Sequence, residues 1–165
     1  EYSFSDPKFY VYNYNGTNVI EAQYSEYYQT YGALYNYPAI INSDLCPFGW
    51  HVSTGEEWLE LAESFGGANG GSGYYLKSNY GWGGSPGNGN NESGFEALPG
   101  GKCRGDQNFS NSTLEGLYGY WWATPPPVGS NDYPPYIELS YNSNSFGDGF
   151  ENDLFIGYSA RCIKD

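Results

Sequence analysis

The clearest periodic pattern in the sequence predicts a helix at residues 55–65. The apolar residues with helical spacing are Trp58, Leu61, Ala62 and Phe65. Thr54 precedes this pattern and Glu57 lies three residues after Thr54, which is the spacing of a capping box. The pair Gly66-Gly67 follows, and glycine commonly ends a helix.

Alternation of apolar and polar residues predicts strands in other parts of the chain. Residues 136–142 alternate strictly and residues 158–163 less cleanly, and Gly147-Asp148-Gly149 between them supplies turn residues for a hairpin or meander. Residues 9–17 indicate a half-buried strand followed by an Asn-Gly loop. Residues 31–42 could be a short strand entering a helical turn that has Pro38 near its start, and we leave the type of this element open.

Glycine, asparagine and serine dominate residues 66–105. The isolated large apolar residues in this region are Leu76, Trp82, Phe95 and Leu98. We therefore expect long loops that single side chains anchor to the core. Taken together, these patterns predict one domain over residues 1–165, with one clear helix, short strands and elaborate loops.

The charge of the chain limits its partners. A net charge of −13 with six Lys plus Arg argues against nucleic acid, because phosphate binding needs a basic face. Anionic membranes are disfavoured for the same reason, and no run approaches the roughly 18 apolar residues of a membrane helix. The chain begins at Glu1 without a charged and apolar leader, so we expect a processed or trimmed product.

The residue usage is typical of extracellular surfaces. The chain has 19 Tyr, 24 Gly and no Met, a composition closer to antibody-type binding surfaces than to cytosolic enzymes, and we expect an exported protein. The cysteines Cys46, Cys103 and Cys162 would then give one disulfide and one odd thiol, with three pairings open. Their spacing and the single His fit no zinc site.

Six short motifs occur in order along the chain. They are Cys46-Pro-Phe-Gly-Trp-His51, Thr54-Gly-Glu-Glu-Trp58, Leu76-Lys-Ser78 with Gly81-Trp82, Gly94-Phe-Glu-Ala-Leu-Pro-Gly-Gly101, Gly119-Tyr-Trp-Trp-Ala123 and Ala160-Arg-Cys-Ile-Lys-Asp165. As a set, strongest over residues 31–165, they closely resemble the Fibrobacter succinogenes major paralogous domain, a family of exported bacterial modules. The family's usual Trp-Met-Ala-Glu-Asn-Leu-like opening segment is missing here.

The resemblance implies an irregular α+β fold like that of C-type lectins and formylglycine-generating-enzyme-like domains, in which helices and long loops flank a small twisted antiparallel sheet. It also implies a disulfide between Cys46 and Cys162, the pair that matches the family, and leaves Cys103 unexplained. Some lectin-like domains of this kind are display scaffolds that diversity-generating retroelements vary near the C-terminus. The Asn, Tyr, Ser, Asp and Phe mixture of residues 131–153 is compatible with such a variable region.

No residue combination in the sequence indicates catalysis. Trp50, His51 and Trp58 could be imagined as a catalytic patch, but a lone His without a titratable partner nearby is more often hydrogen-bonded within a core. Acids are plentiful, yet nothing selects the carboxylate pair that glycoside hydrolysis requires. The loop at residues 88–94 has oxygen ligands that could hold calcium, but it lacks an EF-hand spacing, so we expect no cofactor and keep calcium as the alternative.

The last third of the chain offers a candidate binding surface. If Ile137, Leu139 and Tyr141 face inward, the alternate residues share an outer face that continues into the following loop. Aromatic side chains among Ser, Asn and Asp are typical of binding surfaces, although a merely solvated edge is the alternative. The residues predicted to bind ligand are Tyr133, Tyr136, Glu138, Ser140, Asn142, Asn144, Phe146, Asp148, Phe150, Asn152 and Asp153.

The function expected from these observations is ligand recognition without catalysis. An adhesin-type domain on a cell surface, pilus tip or phage fibre would bind a protein or glycan of a host or neighbouring cell, as part of a larger parent protein or filament. One alternative is a structural filament subunit, with the N-terminal strand pairing with a neighbour. The other is a carbohydrate-active or oxidoreductase enzyme of the same fold.

Overall fold

The computed structural model describes residues 6–12, 14–42, 44–84, 87–104, 116–124 and 133–165. In these ranges short helices combine with short antiparallel strands, which is an α+β arrangement. The helices are α1 (Val19–Gln23), α2 (Glu26–Tyr31), α3 (Tyr37–Asn42), α4 (Gly55–Glu63) and α5 (Ser72–Leu76). The strands are β1 (Phe9–Tyr10), β2 (Leu34–Tyr35), β3 (Trp50–Val52), β4 (Tyr118–Trp122), β5 (Pro135–Ser140), β6 (Gly147–Phe150) and β7 (Cys162–Lys164). None of these helices is long and apolar enough to span a membrane.

Helix α4 confirms the predicted helix and ends two residues earlier than expected. The Thr54 hydroxyl accepts a hydrogen bond from the Glu57 backbone N–H at 3.2 Å, and the Glu57 carboxylate accepts one from the Thr54 N–H at 2.8 Å. This reciprocal pair is the predicted capping box. Gly66, with φ of +96°, lies in the left-handed region that L side chains avoid, and the chain leaves the helix there.

The N-terminal segment departs from the predicted strand. Tyr10, Val11 and Tyr12 are buried in succession, so β1 has only two residues before the chain turns with Tyr14 N–H donating to Val11 O. Residues 31–42 do form a short strand, β2, followed by helix α3. Pro38 is the second residue of α3, near its start, where a missing backbone N–H costs little.

The Gly-rich region predicted as loops contains helix α5, which the apolar pattern did not predict. A side chain at Gly73 would lie 2.8 Å from the backbone oxygens of Asn144 and Ser145, so glycine is needed here for a close approach of two segments. That glycine weakens the helical pattern in the sequence. Leu76 and Trp82 are buried as expected, and each anchors the region to the core.

Strands β4, β5 and β6 form an antiparallel sheet in that order, with Trp121 opposite Ile137 and Ile137 opposite Asp148. The predicted turn at residues 147–149 is therefore wrong, because these residues are part of strand β6. Gly149 instead leaves room for the Tyr136 side chain, because a Cβ at this position would lie 2.7 Å from the Tyr136 hydroxyl. The chain reverses earlier, between Ser140 and Gly147.

Side chains cover both faces of this sheet. On one face lies the tryptophan cluster, which includes Trp58, Trp82, Trp121, Ile137, Leu139 and Phe146. On the other lies the tyrosine cluster, which includes Tyr37, Tyr120, Trp122, Ile156 and Tyr158. Alternate residues of β4 therefore enter different clusters, and each buried large side chain contributes roughly 1.5–3 kcal/mol.

The buried side chain of Lys77 connects the Gly-rich region to the end of β5. Its Nζ donates to the carbonyl oxygens of Ser140 at 3.2 Å and Ser143 at 3.0 Å, and it lies 5.4 Å from the centre of the Trp82 ring. Burial lowers the pKa of this ammonium group. No sequence pattern indicated this burial, since lysine is rarely buried completely.

Strand β7 pairs with β3, and the disulfide between Cys46 and Cys162 adjoins this pairing. The bridge confirms the pairing implied by the family resemblance, with a Cα–Cα distance of 5.7 Å. It favours an oxidising, non-cytoplasmic environment. Cys103 is buried, and its Sγ donates to the carbonyl oxygen of Arg104. The predicted strand at 158–163 is shifted, since Tyr158 and Ser159 form only single bridges to β2 and β4.

Replacing Trp58 by alanine should lower the free energy of unfolding by about 3–5 kcal/mol, because a buried ring in the tryptophan cluster is lost. Urea denaturation measures this. Glu60→Ala, an exposed change on the same helix, is the control and should leave the midpoint nearly unchanged. Equal midpoints for the two variants would show that Trp58 does not anchor the helix.

Replacing both Cys46 and Cys162 by serine should cost about 4–5 kcal/mol, because the bridge closes a loop with a sequence separation of 116. Thermal and urea unfolding measure the loss. Cys103→Ala should retain the bridge and lose far less. Peptide mapping of the unreduced protein that found Cys103 in the bridge would contradict this assignment.

Candidate functional site

The predicted ligand-binding residues separate into three groups in the structure. The exposed members are Tyr133, Asn142, Asn144, Asp148, Phe150 and Asn152. The partly buried members are Tyr136, Glu138 and Asp153, and the buried ones are Ser140 and Phe146. Residues 131 and 132, where the proposed variable region begins, lie outside the described residues.

Phe146 was predicted on the outer surface, and this placement is wrong. Its side chain is only 4% exposed and its ring centre lies 6.3 Å from that of Trp58, within the tryptophan cluster. Its backbone N–H donates to Ala68 O at 3.0 Å. The alternation along β5 does not continue past the chain reversal after Ser140, so the side chain points to the core instead of the solvent.

The outer face of β5 is also less exposed than predicted. Ser140 is buried, and its hydroxyl donates to the side-chain oxygen of Asn142 at 3.0 Å. Tyr136 packs against the tyrosine cluster, with its ring centre 5.2 Å from that of Tyr158. The prediction assumed a sheet with one solvated face, whereas the tyrosine cluster covers much of the second face. Ile137 and Leu139 face inward as expected, and Tyr141 is partly buried.

Apart from Asp148, which lies opposite Ile137 within the sheet, the exposed members lie near two ends of the sheet. Asn142 and Asn144 follow the end of β5, whereas Tyr133 precedes its start and Phe150 ends β6. Phe150 pairs with Pro135, and Glu151 N–H donates to Pro134 O at 2.9 Å. Tyr133 and Phe150, about half exposed at 55% and 52%, therefore belong to the same end of the sheet.

A depression of about 320 Å³ lies next to this end. Its lining residues are Lys102, Arg104, Glu151, Asn152, Asp153 and Ile156. Two positive and two negative side chains thus surround a small volume. We call the exposed side chains of Tyr133 and Phe150 together with this depression the C-terminal surface.

Glu151, which was absent from the predicted site residues, organises this surface. One carboxylate oxygen accepts a 2.6 Å hydrogen bond from the Tyr158 hydroxyl, and the other accepts the backbone N–H groups of Asn152 and Asp153 at 3.0 and 3.1 Å. Burial, and then this hydrogen bond, raise the pKa of Tyr158 far above its usual value. No sequence pattern distinguishes Glu151 from the other acids, because its partner Tyr158 lies on another segment.

His51 lies between two carboxylates rather than within a core. Its Nδ1 is 2.6 Å from Asp165 Oδ1 and its Nε2 is 2.9 Å from Glu57 Oε1, and the side chain is 40% exposed. The hydrogen bond to Asp165, and then that to Glu57, raise the pKa of His51. Desolvation acts to raise the pKa of Glu57, but hydrogen bonds from Thr54 and His51 outweigh it and lower that pKa.

This arrangement binds three segments together. Glu57 also caps α4. His51 lies in β3, and Asp165 directly follows β7, the strand that pairs with β3. Since both ring nitrogens face carboxylates, neither nitrogen is placed to accept a proton from a nucleophile. A structural role therefore fits the geometry of His51. The prediction overlooked both carboxylate partners, although Glu57 is only 6 residues away; Asp165 is 114 residues away.

The loop considered for calcium uses its side-chain oxygens internally. The amide oxygen of Asn88 accepts from Trp82 N–H at 2.9 Å, and that of Asn91 accepts from Glu96 N–H at 2.7 Å. Asn90 accepts from the backbone N–H of Glu92. Over the described ranges, no group of three or more His, Cys, Asp or Glu side chains is arranged to hold a metal ion.

Removing the His51 side chain should change how stability depends on pH. Its raised pKa in the folded state means that the imidazolium stabilises the fold fully below the unfolded value of about 6.5, and that this stabilisation is lost as the pH rises through the folded pKa. The chain has one His, so no other imidazole titrates in this window. As the pH rises through this window, the urea midpoint should fall for the parent and stay level for His51→Gln. The same fall in both proteins would contradict the assignment.

The comparison with family models agrees with the motif resemblance. No curated protein and no solved structure shows a detectable match to the chain. The model of the Fibrobacter succinogenes major domain matches residues 3–164, so the match extends over the N-terminal segment that the motifs left undefined. The chain is a member of the Fibrobacter succinogenes major domain family.

Proposed function

We propose that this domain is an exported, adhesin-type recognition module that binds a surface protein or glycan of a host or neighbouring cell without catalysing a reaction. The observation that carries the proposal is the C-terminal surface, where Tyr133 and Phe150 are exposed beside a depression with charges of both signs. Rigid aromatic rings bury large areas at low entropic cost, and adjustable polar groups around them supply hydrogen bonds.

The hydrogen bonding of the acids near this surface supports binding over chemistry. Glu151 accepts three hydrogen bonds, and Asp153 Oδ1 accepts one from the Phe155 backbone N–H at 3.0 Å. These contacts hold the loop in shape. A glycosidase mechanism needs a carboxyl group placed to protonate the leaving-group oxygen, whereas both carboxylate oxygens of Glu151 accept hydrogen bonds from within the protein.

The proposal also includes a C-type-lectin-like fold and display on a larger parent protein, for example at a pilus tip or phage fibre. Small antiparallel sheets, flanking helices and the long Gly-rich region support the fold, and the disulfide supports export. Sequence variation by a diversity-generating retroelement would be tolerated best at the exposed positions Tyr133, Asp148, Phe150 and Asn152, because substitutions there leave both clusters intact.

A structural filament subunit is the second candidate, and one observation favours it. In the described part of the chain β6 pairs only with β5, so its outer edge could accept a strand from a neighbouring molecule. Two features of β6 oppose the addition of a neighbouring strand at this edge. Asp148 is exposed and charged, and the two glycines make the strand flexible. Electron microscopy of the concentrated protein would reveal filaments if this function were correct.

The recognition function is tested with the purified domain on a glycan array and on a panel of purified extracellular proteins. For at least one probe that binds, Tyr133→Ala and Phe150→Ala should weaken binding by about 1–3 kcal/mol each with unchanged thermal stability. Asn142→Ala, an exposed change beyond the far end of β5, is the matched control and should bind like the parent.

Phe146→Ala provides a second control, because it should lower stability through the tryptophan cluster. Failure of every glycan and protein probe to bind the parent would contradict recognition. Loss of affinity in Asn142→Ala but not in Phe150→Ala would show that the C-terminal surface is wrongly placed.

A further inference from the structure

A second concave site lies beside helix α2, apart from the C-terminal surface. This α2 cleft has a volume of about 440 Å³, within the range of small-ligand sites. The side chains that give it its chemistry are Tyr28, Tyr31, Tyr35, Glu96, Ser159 and Arg161. They come from α2 and β2, from residues 96–100 and from the segment before β7, so no local sequence pattern reveals the cleft.

Two opposite charges are fixed in the α2 cleft. Arg161 lies over the Phe95 ring at 4.7 Å and its Nη2 donates to Phe95 O at 3.5 Å. The Glu96 carboxylate accepts from the Tyr80 hydroxyl at 3.1 Å. Glu96 also has a φ of +56°, in the left-handed region that non-glycine residues rarely adopt, and such strain is concentrated at functional sites.

Two backbone N–H groups that line the cleft are already paired. Tyr35 N–H donates to Tyr158 O at 2.7 Å, and Ser159 N–H donates to Tyr120 O at 3.0 Å. An extended peptide that binds by strand addition needs unpaired backbone groups, and these two N–H groups are taken. Side chains are therefore the recognition groups at these two positions.

The side chains select a neutral, hydroxyl-rich ligand. Glu96 disfavours an anionic ligand, as does the net charge of −13, and Arg161 disfavours a cationic one. Hydroxyl groups can donate to the carboxylate and accept from the guanidinium at the same time, while tyrosine rings pack against the apolar C–H faces of a sugar. We propose that the α2 cleft binds a short segment of a neutral oligosaccharide.

Gly100 is a position where a side chain can be added to the cleft wall without disturbing the fold. A Cβ at this position would lie 3.6 Å from Tyr31 Cβ and 3.8 Å from Ser159 Oγ, which are ordinary van der Waals distances. Gly100→Ala therefore adds a methyl group to the cleft wall with little strain. Gly55→Ala is the matched control, because a Cβ there meets no atom within 4 Å and Gly55 lies outside the cleft.

The experiment measures binding of the parent and variants to an array of neutral glucans, mannans and galactans, with sialylated and sulfated oligosaccharides and peptides as separate arms. Neutral oligosaccharides should bind the parent, and titration calorimetry on the best one should show affinity reduced at least about tenfold in Gly100→Ala. Glu96→Gln and Arg161→Gln should each lower affinity by about tenfold, since each replaces a charge-assisted hydrogen bond by a weaker neutral one. Gly55→Ala should bind like the parent.

The outcomes separate this inference from the proposed function. Phe150→Ala should bind the neutral oligosaccharide with unchanged affinity, because Phe150 lies outside the cleft. Absence of neutral oligosaccharide binding, preference for the acidic or peptide arm, or full affinity in Gly100→Ala would overturn the inference. Protein or glycan binding that depends on Phe150 would still support the proposed function in each of these cases.

Discussion

The antiparallel pairing of β4 with β5 is the interaction on which the rest of the structure depends. This pair places Trp121, Ile137 and Leu139 in one cluster and Tyr120 and Trp122 in the other, so two cores share two strands. Helix α4 packs on one face through Trp58, while β2, α3 and the segment around Tyr158 pack on the other. Since neither cluster can form without both strands, loss of this pairing would expose most of the buried aromatic surface at once.

Much of the remaining chain is irregular, and polar contacts fix it in place. Lys77 holds the reversal after β5 through two backbone oxygens, and Glu151 holds the following loop through two backbone N–H groups. His51 joins the start of α4 to the C-terminal strand through two carboxylates. These contacts stabilise exposed loops on a rigid centre, which is the arrangement that recognition domains commonly use.

The sequence allowed prediction of those elements whose signal is local. Capping residues and helical spacing identified α4, strict alternation identified β5, and family motifs identified the disulfide pair. The burial of Phe146 and Lys77 could not be predicted, because each side chain meets its partners only after the chain reverses beyond Ser140. Helix α5 was not predicted, because Gly73 weakens its helical pattern and is explained only by a close contact with Asn144 and Ser145, which are far away in sequence. The α2 cleft is assembled from three distant segments, so composition alone could not indicate it.

The two clusters act as inert support for exposed recognition sites. Amide chemical shifts of the labelled domain, recorded as a binding oligosaccharide or protein is added, provide the decisive test. Shifts should change at the C-terminal surface or in the α2 cleft, around Tyr133, Phe150, Glu96 and Arg161, while the amides of Trp121 and Leu139 stay fixed. Changes confined to the loop at residues 88–94, or spread through both clusters, would contradict it.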